Sequence, residues 1–232
     1  MRPQAPTAAA SKVACVTNVR ASHIVWDWNG TLLNDNTVVL AAVNDVCAHF
    51  GRAALTWEEW QGFYSRPVRP CYERVLARVL TDEDWVSVDR LYHDRYDLLL
   101  HTSALAPGVP DELHSWMATG RTQSLLSMWF HSQLLPTVDG HGLTELFQRI
   151  DGLPGELGGE SKTEHLVRHL EAQSLDPAGV LVIGDVVDDA EAALAVGAQC
   201  ILVATGGMNR AALEATGVPV TSTIPEAVRL IA

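Results

Sequence analysis

The chain is 232 residues long and carries 16 Lys+Arg against 28 Asp+Glu, a formal net charge of −12. Such an acid excess argues against a nucleic-acid or anionic-membrane surface, because either needs a basic patch to displace counterions. Lys occurs only at Lys12 and Lys162, so a mechanism needing one lysine has two candidates and a mechanism needing several has none.

Length alone places the chain between one large domain and two small ones. A content of 47% apolar and 19% charged residues is ordinary for a globular protein. No apolar run approaches the roughly 18–20 residues of a membrane span. Residues 1–20 lack the apolar stretch of a secretory signal. They read as a loose arm with weak strand potential at 13–16. Cys15, Cys47, Cys71 and Cys200 are widely and irregularly spaced. That argues against a zinc site or a disulfide framework, and for reduced thiols in the cytoplasm.

In chain order, HIVWDWN at 23–29 is an apolar run broken by Gly30 and Thr31, which reads as a buried strand ending in a turn. The character then changes over 37–100. TVVLAAVNDVCAHFG has helical spacing and a Gly stop. LTWEEW opens a second helix, with Thr56 as N-cap and Glu59 completing a capping box. TDEDWVSVDRLYHDRYDLLL is a further helix with an acidic first turn. From Pro107, strands and helices alternate. RTQSLLS, a short strand at the end of LTELFQRIDG, GVLVIGD and CILVATG are separated by helical stretches, and NRAALEATG and IPEAVRLIA close the chain as helices. The expected fold is α/β: a doubly wound parallel sheet with a Rossmann-like core and an inserted helical cap domain. The expected boundaries are an arm at 1–20, a core at 21–34 and 106–232, and a cap at 35–105.

Open parallel sheets bind ligands outside the carboxyl ends of their strands. The first strand ends in Asp27-Trp28-Asn29-Gly30-Thr31, the second at Ser127, and a later one in Gly184-Asp185, followed by Asp188 and Asp189. Lys162 opens a helix after a Gly-Gly-Glu-Ser turn. Clustered carboxylates repel one another unless a cation sits among them, and an all-oxygen donor set suits a hard ion such as Mg2+. A strand-end Asp can act as a nucleophile toward phosphorus. A hydroxyl and an ammonium neutralise phosphoryl oxygens, and backbone N–H groups near Gly30 add donors. Taken singly, each residue has an ordinary explanation as turn chemistry, a solvated charge or a helix N-terminus. Their joint occurrence at successive strand ends favours a site.

DWNGTLL, LLSMW, GGESKTEHL and VLVIGDVVDDAEAALAVGA resemble the four motifs of the haloacid-dehalogenase-like hydrolase superfamily. The likeness is to the branch with a helical cap between the first two motifs, phosphoglycolate-phosphatase-like members above all, and covers about residues 23–232. It implies a Mg2+-dependent phosphatase that hydrolyses a small-molecule phosphate ester through an aspartyl-phosphate. It further implies that Asp27 is nucleophile and metal ligand, that the backbone carbonyl of Asn29 and the side chain of Asp185 are further ligands, and that Asp189 acts directly or through water. Ser127 and Lys162 would hold the phosphoryl group, with Ser124 as the alternative should the strand end earlier. Proteins of this kind and size are often monomers or dimers.

One position departs from the pattern. The family's second Asp is Asn29 here, and an amide can neither protonate a leaving group nor activate water, a role typically worth about 10²–10⁴ in rate. Three consequences stay open: a leaving group that needs little protonation, another proton source (Asp188, one of the nine His, or the substrate itself), or slow turnover. The departure disfavours a mutase and motivates an alternative reading as a non-catalytic or weakly active binding module. Dehalogenation is a lesser alternative, since it needs no metal. Residues 35–110 contain no Lys, so a Schiff-base mechanism in the cap has no candidate.

The residues expected to read the substrate are Gly30, Met128, Trp28, Arg66 and Arg69. In GFYSRPVRPCYERVL, Pro67 and Pro70 stiffen the chain. There Arg66 or Arg69 either faces an anionic or hydroxyl-rich substrate or is a solvated charge. Trp28 is either a platform for a flat or sugar-like group or packing against the cap. Trp57 and Trp60 read as core from their helical spacing. His165 and His169, four apart, are either a metal pair or an ordinary helix face. Phosphoglycolate, a sugar phosphate, a nucleotide and a phosphorylated secondary metabolite all fit as substrate.

Overall fold

Strand β1 (His23–Trp26) is buried along its whole length and lies between two neighbours in the sheet. The computed structural model describes residues 19–155 and 161–232. The expected strand at 13–16 and most of the Gly-Gly-Glu-Ser turn fall outside them. Val19 and Arg20 are not loose: Val19 bridges to Ile231, and the Arg20 carbonyl accepts a hydrogen bond from Gln199.

The remaining strands of the main sheet are β4 (Thr122–Phe130), β5 (Ile150–Leu153), β6 (Val180–Gly184), β7 (Gln199–Val203) and β8 (Val220–Thr221). Their order is β5-β4-β1-β6-β7-β8, and every pairing is parallel. Strands β1, β6 and β7 read as continuous apolar runs because both faces are covered. Side chains alternate along β1: Ile24 and Trp26 join one core and Val25 joins the other. Helices α5 (Val109–Ala118), α6 (His131–Gly140) and α10 (Ile224–Arg229) cover the first face. Helices α7 (Lys162–Ala172), α8 (Val187–Val196) and α9 (Arg210–Glu214) cover the second. The doubly wound arrangement is thus as expected.

A two-stranded antiparallel ribbon, β2 (Leu33–Asn34) with β3 (Ala104–Leu105), marks where the chain leaves the core and re-enters it. Between them lie α1 (Asn36–His49), α2 (Trp57–Phe63), α3 (Val68–Leu76) and α4 (Asp82–Leu99), which share a core of their own around Val43, Trp60, Tyr72 and Val75. This is the helical cap. Its capping signals read true: Thr56 with Glu59 caps α2, and Thr81 with Asp84 caps α4.

One strand differs from its expected length. The sequence pattern ends it at Ser127, but β4 continues to Phe130, where it pairs with Leu153 beyond a register shift. The extra residues Met128, Trp129 and Phe130 have strand-compatible side chains, and β5 offers them a partner.

Candidate active site

β1 and β6 are in register, with Trp26 opposite Ile183. The residues that follow, Asp27 and the pair Gly184-Asp185, therefore emerge together at the carboxyl rim. The Asp27 N–H donates to the Ile183 carbonyl at 2.9 Å, which fixes where the side chain starts. One turn into α8, Asp189 is wholly buried and accepts from the Val186 N–H at 3.1 Å. Carboxylate oxygens of Asp27, Asp185 and Asp189 all lie within 4.8 Å of one another. The Thr31 hydroxyl donates to Asp185 Oδ1 at 3.1 Å and lies 3.4 Å from Asp27 Oδ2, tying two of the three together.

Lys162 is the first residue of α7, whose N-cap Ser161 forms a capping box with Glu164. Its Nζ lies 2.6 Å from Asp27 Oδ1 and also pairs with Asp189 Oδ1. Gly30 closes the turn after Asp27. It has φ of 74°, and a Cβ there would come within 2.5 Å of Asp185 Oδ2. A side chain at position 30 would displace that carboxylate.

The electrostatics follow from burial. It pushes the Asp27 carboxyl up to about 6, with Lys162 opposing and Asp189 adding. Burial, with Asp27 and Asp189 as neighbours, raises Asp185 far above its ordinary value. Burial also works against the Lys162 ammonium, but Asp189 and Asp27 outweigh it and raise its pKa. Three carboxylates against one ammonium leave two negative charges in a buried site. A single divalent cation matches that charge, and oxygen donors match a hard one. The residues fit Mg2+.

Ser127 is buried at the rim, where its Oγ accepts from the Trp129 N–H at 3.1 Å and donates to no acceptor among the described residues. Ser124, three residues further back along the strand, is held between His23 and His169. It takes no part in the rim.

Asn29 uses its amide for structure. Its Nδ2 donates to Asp35 Oδ2 at 3.1 Å and to Tyr96 Oη at 2.8 Å. The Tyr96 hydroxyl donates to the same Asp35 oxygen at 2.6 Å, and the Gly30 N–H donates to Asp35 Oδ1 at 3.1 Å. Burial raises the Asp35 carboxyl despite these donors. The sequence reading missed Asp35 and Tyr96 entirely.

A cavity of about 500 Å³ runs from Asp27, Ser127 and Lys162 into the cap, with Gly30, Met128 and Arg66 on its wall. Arg66 reaches it from the cap, its Nε 3.5 Å from Asp188 Oδ2. Arg69 does not: it is spent on Asp82 at 2.9 Å and the Leu80 carbonyl at 2.8 Å. Trp28 is not a substrate platform on this wall. It lies fully buried in the core under the sheet, near His141, because the strand's alternation turns it inward. Trp60 is a buried member of the cap's core and Trp57 packs against it, as expected, and both also line the cavity. His165 and His169 are no metal pair among the described residues: His169 binds Ser124 and Asp151, and His165 sits against Arg168.

The haloacid dehalogenase-like hydrolase family model matches residues 24–203. Among curated proteins, the phosphoglycolate phosphatase of Nitrosospira multiformis is 26% identical over 191 residues, 79% of this chain and 83% of that one. The phosphoglycolate phosphatase of Thiobacillus denitrificans is 28% identical over 195 residues, again 79% and 83%. Among solved structures, a haloacid dehalogenase-like family hydrolase from Streptococcus pneumoniae superposes with a TM-score of 0.77 at 18% identity, covering 90% of this chain and 97% of that one. The last likeness concerns the fold alone.

Proposed function

Because the chain belongs to the haloacid dehalogenase-like hydrolase family, in its phosphoglycolate-phosphatase-like branch, we propose that it is a Mg2+-dependent phosphomonoester hydrolase working through an aspartyl-phosphate. The convergence of Asp27, Asp185, Asp189 and Lys162 at one buried rim carries this reading.

Asp27 is the nucleophile. Its carboxylate attacks phosphorus, the bond from phosphorus to the leaving oxygen breaks, and the leaving group departs with its electron pair. Water then attacks the phosphorus of the aspartyl-phosphate, which frees Asp27 as carboxylate and yields inorganic phosphate. The proton released from that water ends on the leaving oxygen. Lys162 keeps Asp27 ionised and places positive charge beside the phosphoryl oxygens. The Ser127 hydroxyl donates its proton to one of those oxygens. Mg2+, held by Asp27, Asp185, Asp189 and the Asn29 carbonyl, would supply charge neutralisation to the phosphoryl group. Residues 35–105 act as the cap that encloses the organic part of the substrate.

The test is release of phosphate from 4-nitrophenyl phosphate, with Mg2+ and with a chelator. Release with Mg2+, lost with the chelator and in Asp27→Asn, is the expected result. Activity that survives Asp27→Asn unchanged sinks the mechanism. Binding without release across a broad ester panel selects the non-catalytic reading, which the committed amide of Asn29 favours.

A further inference from the structure

The cavity enters the middle of the cap, and its wall there is aromatic: Trp57, Trp60, Tyr64, Tyr72, Trp85 and Tyr92. Neighbouring rings run in series, with centroids 5.4 Å apart for Trp60 and Tyr64, 5.9 Å for Trp60 and Tyr72, and 6.3 Å for Tyr72 and Trp85. Two buried polar atoms of these residues have no hydrogen-bond partner among the described residues: Trp60 Nε1, on a residue 2% exposed, and Tyr72 Oη, on a residue 3% exposed. Buried donors are nearly always paired in folded proteins. A ligand acceptor that enters among these rings and shifts them apart would pair both atoms.

The charge pattern disfavours a small diacid. Among the described residues, the only Arg and Lys side chains along the cavity are Arg66 and Lys162, both near the rim. Lys162 is held by Asp27 and Asp189, and Arg66 faces Asp188. Among the described residues, no Arg or Lys lines the cavity deeper in the cap to meet a carboxylate. A volume of about 500 Å³ also falls within the roughly 300–1,000 Å³ of pockets that enclose whole organic ligands. A two-carbon acid would leave most of it to water.

Asn29 adds a separate constraint. Its amide offers no proton and is committed to Asp35 and Tyr96. A leaving group that departs readily without an acid is therefore favoured. A phenol, with a pKa of about 10 as in a tyrosine side chain, leaves far more readily than an alkyl alcohol.

Resting on the phosphatase reading, we infer that the substrate is an aryl phosphomonoester whose ring system, bearing a hydrogen-bond acceptor, binds among the cap aromatics. Ring stacking and the two orphaned donors hold the aryl part. The rim residues hold the phosphate.

Three esters separate the terms: 4-methylumbelliferyl phosphate (aryl, with a carbonyl acceptor), benzyl phosphate (aromatic, with a poor leaving group) and phosphoglycolate (neither). With Mg2+, both aromatic esters show KM at least tenfold below that of phosphoglycolate, and only the aryl ester combines this with high kcat. Val39→Phe, which narrows the cavity from α1, lowers kcat/KM for the aromatic esters at least fivefold more than for phosphoglycolate. Tyr72→Phe, which deletes one orphaned donor and no bulk, raises KM for 4-methylumbelliferyl phosphate about three- to tenfold. Phosphoglycolate with the highest kcat/KM, or aromatic KM values unmoved by both variants, overturns the inference. If no ester turns over, the phosphatase reading fails. Calorimetric titration with 4-methylumbelliferyl phosphate then decides the cavity alone: binding weakened by Val39→Phe sustains it, and no binding overturns it.

Discussion

Two buried polar clusters lie along strand β4, one toward its middle and one at its carboxyl end, and they are built on opposite plans. In the inner one, a chain of hydrogen bonds runs from Thr122 through His23, Ser124 and His169 to Asp151, with ring-to-oxygen distances of 2.7, 2.7, 2.7 and 2.6 Å. One assignment of protons satisfies it all: the Thr122 O–H donates to His23 Nδ1, His23 Nε2–H to Ser124, the Ser124 O–H to His169 Nε2, and His169 Nδ1–H to Asp151. His23 is neutral in that scheme, and burial, with His169 beside it, lowers its pKa to about 4. Burial pushes Asp151 up, but hydrogen bonds from His169 and Arg149 outweigh it and hold the carboxyl down at about 2. On the rim side, burial acts on Asp27 in the same direction, and its partners leave it raised at about 6. The inner cluster is complete in itself. The rim cluster is short of positive charge. Ser124, His169 and Asp151 even stand within hydrogen-bond reach in the manner of a nucleophilic triad, yet Ser124 is 0% and His169 1% exposed. Without access for a substrate, that geometry is architecture.

The contrast predicts where activity and stability separate. The largest effect belongs to the nucleophile. Asp27→Asn is expected to lower kcat by about 10⁴–10⁶-fold, read in a phosphate-release assay, while the protein stays folded by circular dichroism.

Next comes the coupling of pH and cation. A carboxyl raised from its ordinary 3.8 to about 6 in the folded state contributes stability below about pH 4, which is lost as pH rises through 6. At neutral pH the unneutralised cluster is therefore expected to cost roughly 3 kcal/mol from Asp27 alone, with Asp185 acting in the same direction. Mg2+ should raise the melting temperature strongly at pH 7.5 and hardly at all below pH 5. His23 has the opposite sign: its stability is full above its ordinary 6.5 and is lost as pH falls through about 4. That contribution is the same with and without Mg2+, so the difference between the two melting curves isolates the rim. A Mg2+ shift independent of pH would break the comparison.

How much of this could be read in the sequence depends on distance along the chain. Asp27, Asn29 and Thr31 lie within five residues at one strand end, and Asp185 and Asp189 within one helical turn, so local pattern places them. The expected strand end likewise puts Ser127, not Ser124, at the rim, even though the strand runs three residues past it. The pairing of Asp35 with Tyr96 spans 61 positions and leaves no local trace. Helical spacing correctly marks Trp57 and Trp60 as inward-facing, but it cannot tell a filled bundle core from one that encloses a cavity. Two-residue strands such as β2, β3 and β8 are too short to carry a period at all.

The two serines give the sharpest test of the two plans. Ser124→Ala removes the single hydroxyl shared by two histidines and should cost about 1–3 kcal/mol of stability, with kcat/KM held within about threefold. Ser127→Ala should do the reverse, lowering kcat/KM by about 10²-fold with little change in melting temperature. If the two variants exchange behaviour, the rim has been assigned to the wrong serine of β4.

The smallest effect concerns position 29. If the amide alone limited turnover, Asn29→Asp would raise activity on alkyl esters by the full 10²–10⁴ or so that a positioned acid supplies. The hydrogen bonds argue otherwise. A new carboxyl would stand where the amide now donates to Asp35 Oδ2 at 3.1 Å. Two carboxylates at that distance share a proton instead of both ionising, and the shared proton would point at Asp35, not at a leaving group. Tyr96 already donates to the same oxygen and does not relieve the conflict. The single variant is therefore expected to gain less than about tenfold on phosphoglycolate. Asn29→Asp with Asp35→Asn, which restores an amide beside the new acid, should gain more than either change alone. A large gain in the single variant would mean that Asp35 yields its place, and that the amide was the whole obstacle.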